Sequence, residues 1–318
     1  MVFLLQKTLV YAAPLLIVAL AGMFAERSGV INLALEGEMI FGAFIGAIVA
    51  RFFSMADILT GNIQLMFFLV LMISGAAAAI FSLLLSLSAV TLKADQTIGG
   101  TALNMLAPAI VNAFALSLFN SEKIQMPANF AGYVIKNPNL PALVQIFGDK
   151  AYLSTYIIVI MFIVLSIWIY KTRTGMRLRS CGEHPQAAAS VGINVFKMRY
   201  LGTTISGFLA GVGGYAYIAT IADGTAESSV GGMGFLALAI MIFGNWKPLG
   251  IALGALLFGF LKCIGPVSSS IGFLDRLGLP MFFYNIIPYL VVLVVLAITA
   301  KKSGVPKAEG IPYDKGMR

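Results

Sequence analysis

Long apolar runs dominate this chain and leave it little choice of environment. A helix that crosses the roughly 30 Å hydrocarbon core of a bilayer needs about 20 mostly apolar residues. Nine stretches approach that requirement, at about 8–24, 33–52, 64–91, 97–119, 152–170, 200–222, 231–244, 248–265 and 282–300. Apolar residues make up 59% of the 318 and charged residues only 11%, well under the quarter or so of a soluble domain. A water-soluble fold could not cover that apolar surface, and a bilayer removes the need. The expected architecture is all-α: one polytopic transmembrane helical bundle over 1–318, with about nine spans (8–10). The stretch 231–244 is short and reads as a half-helix, tolerated only where protein covers it. The run after it starts beyond the turn Asn245-Trp246-Lys247-Pro248. The first run has the outline of a signal peptide, with Lys7 before it and Ala19-Leu20-Ala21 near its end. The chain nevertheless continues from Glu26 to Glu36 straight into another span, which favours a retained helix.

Basic residues orient the bundle. With the basic loop after Tyr170 placed in the cytoplasm, 14 Lys and Arg fall inside and 7 outside, and the flipped topology reverses that ratio. Cytoplasmic loops collect Lys and Arg, so 171–199 is expected to be a cytoplasmic loop and 301–318 a cytoplasmic tail. The polar stretch 120–151, with Pro127, Pro138 and Pro141, becomes the largest external loop, and the N-terminus lies outside.

Several function classes lose support on residue counts. Cys181 and Cys263 form no CxxC pair, and His184 is the one histidine, so a metal site or a histidine-based catalytic group has little to build on. The net charge of +8 is scattered over loops without interleaved aromatics, which argues against nucleic-acid binding. No G-x-x-x-x-G-K-[ST] sequence occurs, so the chain cannot hydrolyse ATP through that loop. No cofactor is expected.

The most informative segment is Thr174 to Asn194. Pro185 suits the first turn of a helix, and Glu183 precedes it where the dipole favours negative charge. Ala187, Ala188 and Ala189 propagate the helix, and Gly192 can end it in a left-handed conformation. The result is a short, smooth helix between two spans, with Arg177 and Arg179 nearby for acidic groups. It is either an ordinary loop helix or a plug for a groove on a partner.

Gln186-Ala187-Ala188, three residues and then Gly192 resemble the Glu-Ala-Ala-x-x-x-Gly coupling motif of ATP-binding-cassette (ABC) importer permeases, with Gln in place of Glu. The wider match is to the branch containing ribose and branched-chain amino-acid permeases, and within it to nucleoside-type permeases. It runs through Ala25 to Gly37, Gly100 to Leu106, Gly182 to Tyr200, Gly234 to Ala239, Phe243 to Gly250 and Gly310 to Tyr313. The resemblance implies a type II-like importer fold in the cytoplasmic membrane. It implies transport of nucleosides rather than catalysis by this chain. The partners it implies are a cytoplasmic ABC ATPase, a second permease subunit (a relative or a second copy) and an extracytoplasmic solute-binding protein. Arg177, Arg179, Gly182, Glu183, Pro185, Ala187, Ala188 and Gly192 become the expected ATPase-coupling residues, so a bulky charge at Ala188 or Gly192 is expected to uncouple hydrolysis from transport. A permease for a simple sugar such as ribose or galactose is the nearest alternative. An ion-coupled secondary transporter is a more distant one, since mid-span charges are sparse.

Polar residues inside apolar runs are the candidates for the solute pathway. Asn32 and Glu36 lie four apart and would share a helix face. An intramembrane carboxylate is costly and points to a pathway or a buried partner, although Glu36 could equally cap a broken helix. Thr97, Thr101, Asn104, Pro108 and Asn112 fall on one helix face, and Pro108 frees the Asn104 carbonyl. Their alternative role is hydrogen bonding between helices. Asn32, Glu36, Thr101, Asn104 and Asn112 are the expected pathway residues. Gly207 and Gly211 form a G-x-x-x-G suited to close helix packing.

Overall fold

A computed structural model describes residues 2–59, 61–127, 133–135, 151–268, 276, 280–299 and 304–316. The expected external loop at 120–151 lies largely outside the described residues. All nine apolar stretches coincide with helices: α1 (Val2–Arg27), α2 (Leu35–Met55), α3 (Ile63–Ser86), α4 (Gln96–Phe119), α5 (Leu153–Lys171), α8 (Val195–Thr220), α9 (Met233–Phe243), α10 (Pro248–Val267) and α11 (Met281–Thr299). The α3 helix runs on into a π-helical turn at Leu87–Thr91. Two further helices, α6 (Arg173–Glu183) and α7 (Pro185–Ser190), occupy the basic loop. Among the described residues, six helices are long and apolar enough to cross a membrane. The α8 helix has the length but is richer in Gly, Ser and Thr, and α9 at 11 residues reaches only about 16 Å, half the hydrocarbon thickness.

The core forms around α1 and α8, both of which pack against several neighbours. The α8 helix can sit at the centre because its surface is nearly flat. A Cβ at Gly211 would fall 2.5 Å from Ala78 Cβ of α3, and one at Gly214 would collide with the Met39 carbonyl of α2. In lipid, such close approach replaces the hydrophobic effect as the source of packing energy. Ser74 Oγ joins the same three helices, donating to Gly42 O at 2.6 Å with Gly211 O at 3.0 Å. The α4 and α5 helices lie at the periphery and expose broad apolar faces, including Met105 and Ile160.

At one end of the bundle β1 (Ile124–Gln125) pairs antiparallel with β4 (Thr225–Ala226), tying the chain after α4 to the chain after α8. Nearby, β2 (Tyr133–Ile135) pairs with β3 (Ala151–Tyr152). The opposite end carries α6, α7 and the C-terminal segment 304–316.

Basic residues counted as loop charges occupy more varied places than sequence implied. Arg199 is fully buried in α8, Arg51 stacks on the Phe119 ring at 4.9 Å from within α2, and Lys262 lies inside α10.

Candidate functional sites: a broken-helix junction and a basic face

The chain leaves α1 at Arg27 and does not become helical again until Leu35. This stretch is buried: Ser28, Val30, Asn32 and Ala34 have no exposure. Irregular backbone at membrane depth must have its polar groups satisfied by protein, and α4 supplies much of that. Gln96 Oε1 accepts from Ile31 N at 2.8 Å. Asn104 Nδ2 donates to Leu33 O at 2.6 Å while its Oδ1 accepts from Gly37 N at 2.7 Å. Asn32 braces the same turn internally, its Oδ1 accepting from Ala34 N at 2.9 Å. Its Nδ2 donates to Glu38 Oε2 at 3.0 Å and to Ser206 Oγ of α8 at 2.8 Å.

Glu36 sits one turn further on and caps the second broken helix. Its Oε1 accepts from Gly232 N at 2.9 Å and its Oε2 from Gly234 N at 2.6 Å. Those amides belong to the first turn of α9, where unpaired N–H groups and the helix dipole both favour a carboxylate. On the far side of the Gly231–Gly232 turn, Lys262 Nζ donates to Gly231 O at 3.3 Å and to Tyr289 Oη at 3.0 Å.

The structure therefore brings Asn32, Glu36 and Asn104 together at one junction. Thr101 stands on the exposed edge of α4, its hydroxyl turned back to Thr97 O at 2.9 Å, and Asn112 is half-buried further along the same edge. Glu38 and Lys262 complete the polar set. Intramembrane charge was the available signal for both, obscured at Lys262 by its position near a span end.

On the face formed by α6, α7 and the tail, which the junction adjoins through Arg27, the expected short helix exists. Pro185 is the first residue of α7, and Gly192 has φ +84° with open space where a Cβ would lie. Only part of the expected coupling set faces outward. Arg177, Ala187 and Gly192 are exposed, as is Gln186 beside them. Pro185 and Ala188 turn inward, Ala188 into a small cluster with Cys181, Val195 and Tyr313. Burial pushes the Cys181 thiol pKa up. Gly182 lies against the Arg27 carbonyl, where a side chain could not fit. Arg179 folds back over the Tyr170 ring at 4.5 Å and donates to Ile169 O at 3.1 Å, capping the end of α5. Glu183 is held by Arg27 at 3.4 Å. A bulky charge at Ala188 would thus break packing inside this chain before it met any partner.

The tail is woven through this face. Ala308 N donates to Gly182 O at 2.8 Å, and Arg199 Nη1 donates to Ile311 O at 2.8 Å. Tyr313 packs edge-on against Phe196 at 5.4 Å. Lys93 bonds Asp314 at 2.8 Å and holds its carboxyl below the usual range. Glu309 lies beside Glu26, which accepts from Trp246 Nε1 at 2.5 Å. Burial pushes the Glu309 carboxyl up to about 7, partly opposed by Arg27 and by its hydrogen bond with Glu26.

Comparison with known proteins decides what such a bundle is. Residues 4–298 match the family described as branched-chain amino acid transport system / permease component. The chain belongs to this permease family. It is a multi-pass protein of the cytoplasmic membrane, in keeping with its family and its apolar, membrane-length helices. It is 38% identical over 319 aligned residues to the guanosine ABC transporter permease protein NupQ of Bacillus subtilis, covering 99% of this chain and 97% of that one. It is 35% identical to the nucleoside ABC transporter permease protein NupC of Lactococcus lactis, covering 98% and 96%. A more distant similarity, 23% identity over 92% of this chain and 81% of the other, links it to the guanosine ABC transporter permease protein NupP of B. subtilis.

Proposed function

We propose that this permease carries nucleosides inward across the cytoplasmic membrane, driven by a separate ABC ATPase and fed by an external solute-binding protein. The observation that carries the reading is end-to-end similarity to two permeases named for guanosine and nucleoside transport. The end bearing α6 and α7 faces the cytoplasm in this reading. Exposed Lys93, Arg173, Arg177, Lys197 and Lys315 gather there, as the positive-inside rule favours. The exposed tip of α7, with Gln186, Ala187 and Gly192, is the part offered to the ATPase. Its inward residues and the folded-back Arg179 fix its position.

The pathway runs along the α4 edge. Thr97 and Thr101 are exposed polar groups on a membrane helix, which would be unfavourable against lipid. A second permease subunit facing them encloses the solute route, and Asn112 lines it further along. Asn32, Glu36 and Asn104 serve that route by holding the broken helices α2 and α9 in place beside it. The partner is a related chain rather than a copy, since B. subtilis has two distinct guanosine permeases, one close to this chain and one distant.

Uptake of labelled guanosine, cytidine, ribose and galactose by cells lacking or re-expressing the gene tests the solute class. Loss and restoration of nucleoside uptake alone is expected. Loss of sugar uptake with nucleoside uptake intact would overturn the reading in favour of a sugar permease.

A further inference from the structure

The tail does more than cover the end of the bundle. Together with α7 it encloses a groove of about 690 Å³, walled on one side by Gln186, Ser190 and Asn194 and on the other by Tyr313, Asp314 and Lys315. We propose that the C-terminal tail forms half of the seat for the ATPase, whose surface carboxylates enter the groove between α7 and Lys315. This deepens the reading above and rests on it.

Three observations converge. The groove wall is built rather than draped. Arg199, fully buried, bonds Ile311 O, and Tyr313 is buried in a cluster with Phe196 and Ala188, so the tail is anchored on α8 and packed beside α7. The groove continues directly from the outward tip of α7, since Gln186 and Gly192 line both. The charge around it is one-sided. Lys315 lines the groove, exposed and lying over the Phe196 ring at 5.7 Å, and Arg177 on α6 and Lys197 on α8 are exposed outside it, whereas the acidic groups nearby are already engaged. Asp314 is paired with Lys93, Glu183 with Arg27, and Asp95 caps α4 through Thr97 N and Ile98 N. A cationic rim around a half-apolar groove fits a protein surface carrying carboxylates.

The test uses the complete transporter, reconstituted with its ATPase in vesicles containing an anionic lipid. Both native cysteines, Cys181 and Cys263, are buried, so Lys315→Cys, Ala187→Cys and Met55→Cys can each carry a benzophenone maleimide with low background. Met55 is exposed at the end bearing β1 and β4. Photolysis is expected to join position 187 and position 315 to the ATPase and to leave position 55 without an ATPase adduct. Adducts at 187 but not at 315, or only lipid adducts at 315, would overturn the tail's role while leaving the α7 reading standing. No ATPase adduct at either position would sink both. In parallel, Lys315→Glu is expected to weaken ATPase retention about fivefold at low salt and less at high salt. Unchanged retention at low salt would count against the cationic rim.

Discussion

Glu36 offers the sharpest test of how the broken helices are held. Glu36→Ala removes the acceptor of two N–H groups in the first turn of α9, bonded at 2.9 and 2.6 Å. Orphaning a buried donor costs about 1–3 kcal/mol each, and losing a carboxylate at a helix N-terminus adds roughly 0.3–1 kcal/mol. The total is about 2–7 kcal/mol, on the order of 3–10 °C in melting temperature for a chain of this size. Glu36→Gln keeps one acceptor oxygen and is expected to fall by about half as much. Melting curves of the purified transporter in nanodiscs, recorded by intrinsic fluorescence, measure the shift. If Glu36→Ala melts with the parent yet abolishes uptake, Glu36 is a solute contact and the capping argument is wrong.

Other consequences are equally concrete. Glu309 has a pKa raised to about 7, so its contribution to stability is full below the unfolded value near 4.5 and is lost as pH rises through about 7. Hydrogen exchange of residues 304–316 is expected to quicken from pH 6 to 8 beyond its intrinsic rise, and Glu309→Gln to abolish that excess; an unchanged excess would refute the assignment. Gly211→Leu drives a side chain into Ala78 and Ser74 O and is expected to prevent stable assembly, measured as loss of a monodisperse peak in gel filtration. Lys123→Ala, which breaks an exposed pair with Glu227, is expected to change stability by less than about 1 kcal/mol in the same melting assay.

The helical membrane bundle was legible because apolar runs near bilayer length have few alternative fates, and each of the nine expected runs meets a helix. The short helix α7 was legible too, because Pro185 and Gly192 each do locally what their backbones demand. The rest depended on contacts between distant residues. Residues 28–34 look like any short turn until Gln96 and Asn104 are seen satisfying their backbone. The α6 helix is too charged to register as a span and too short to announce itself otherwise. In a six-residue helix nothing in the sequence decides which alanine faces out. Ala188 turns inward because Tyr313, more than a hundred residues away, is there to meet it. Glu36 had two readings in sequence, a cap and a pathway group, and the partners that a cap needs, the amides of Gly232 and Gly234, lie almost two hundred residues away.

Transport by the purified components bears most directly on the central claim. Vesicles holding this permease, its related partner and the ATPase, with binding protein and labelled nucleoside on the external face, are expected to accumulate nucleoside only when ATP is enclosed on the ATPase side. Removing the ATPase, or substituting a non-hydrolysable analogue, is expected to stop accumulation. Accumulation by this chain in vesicles lacking the ATPase, driven by an ion gradient, would contradict the account.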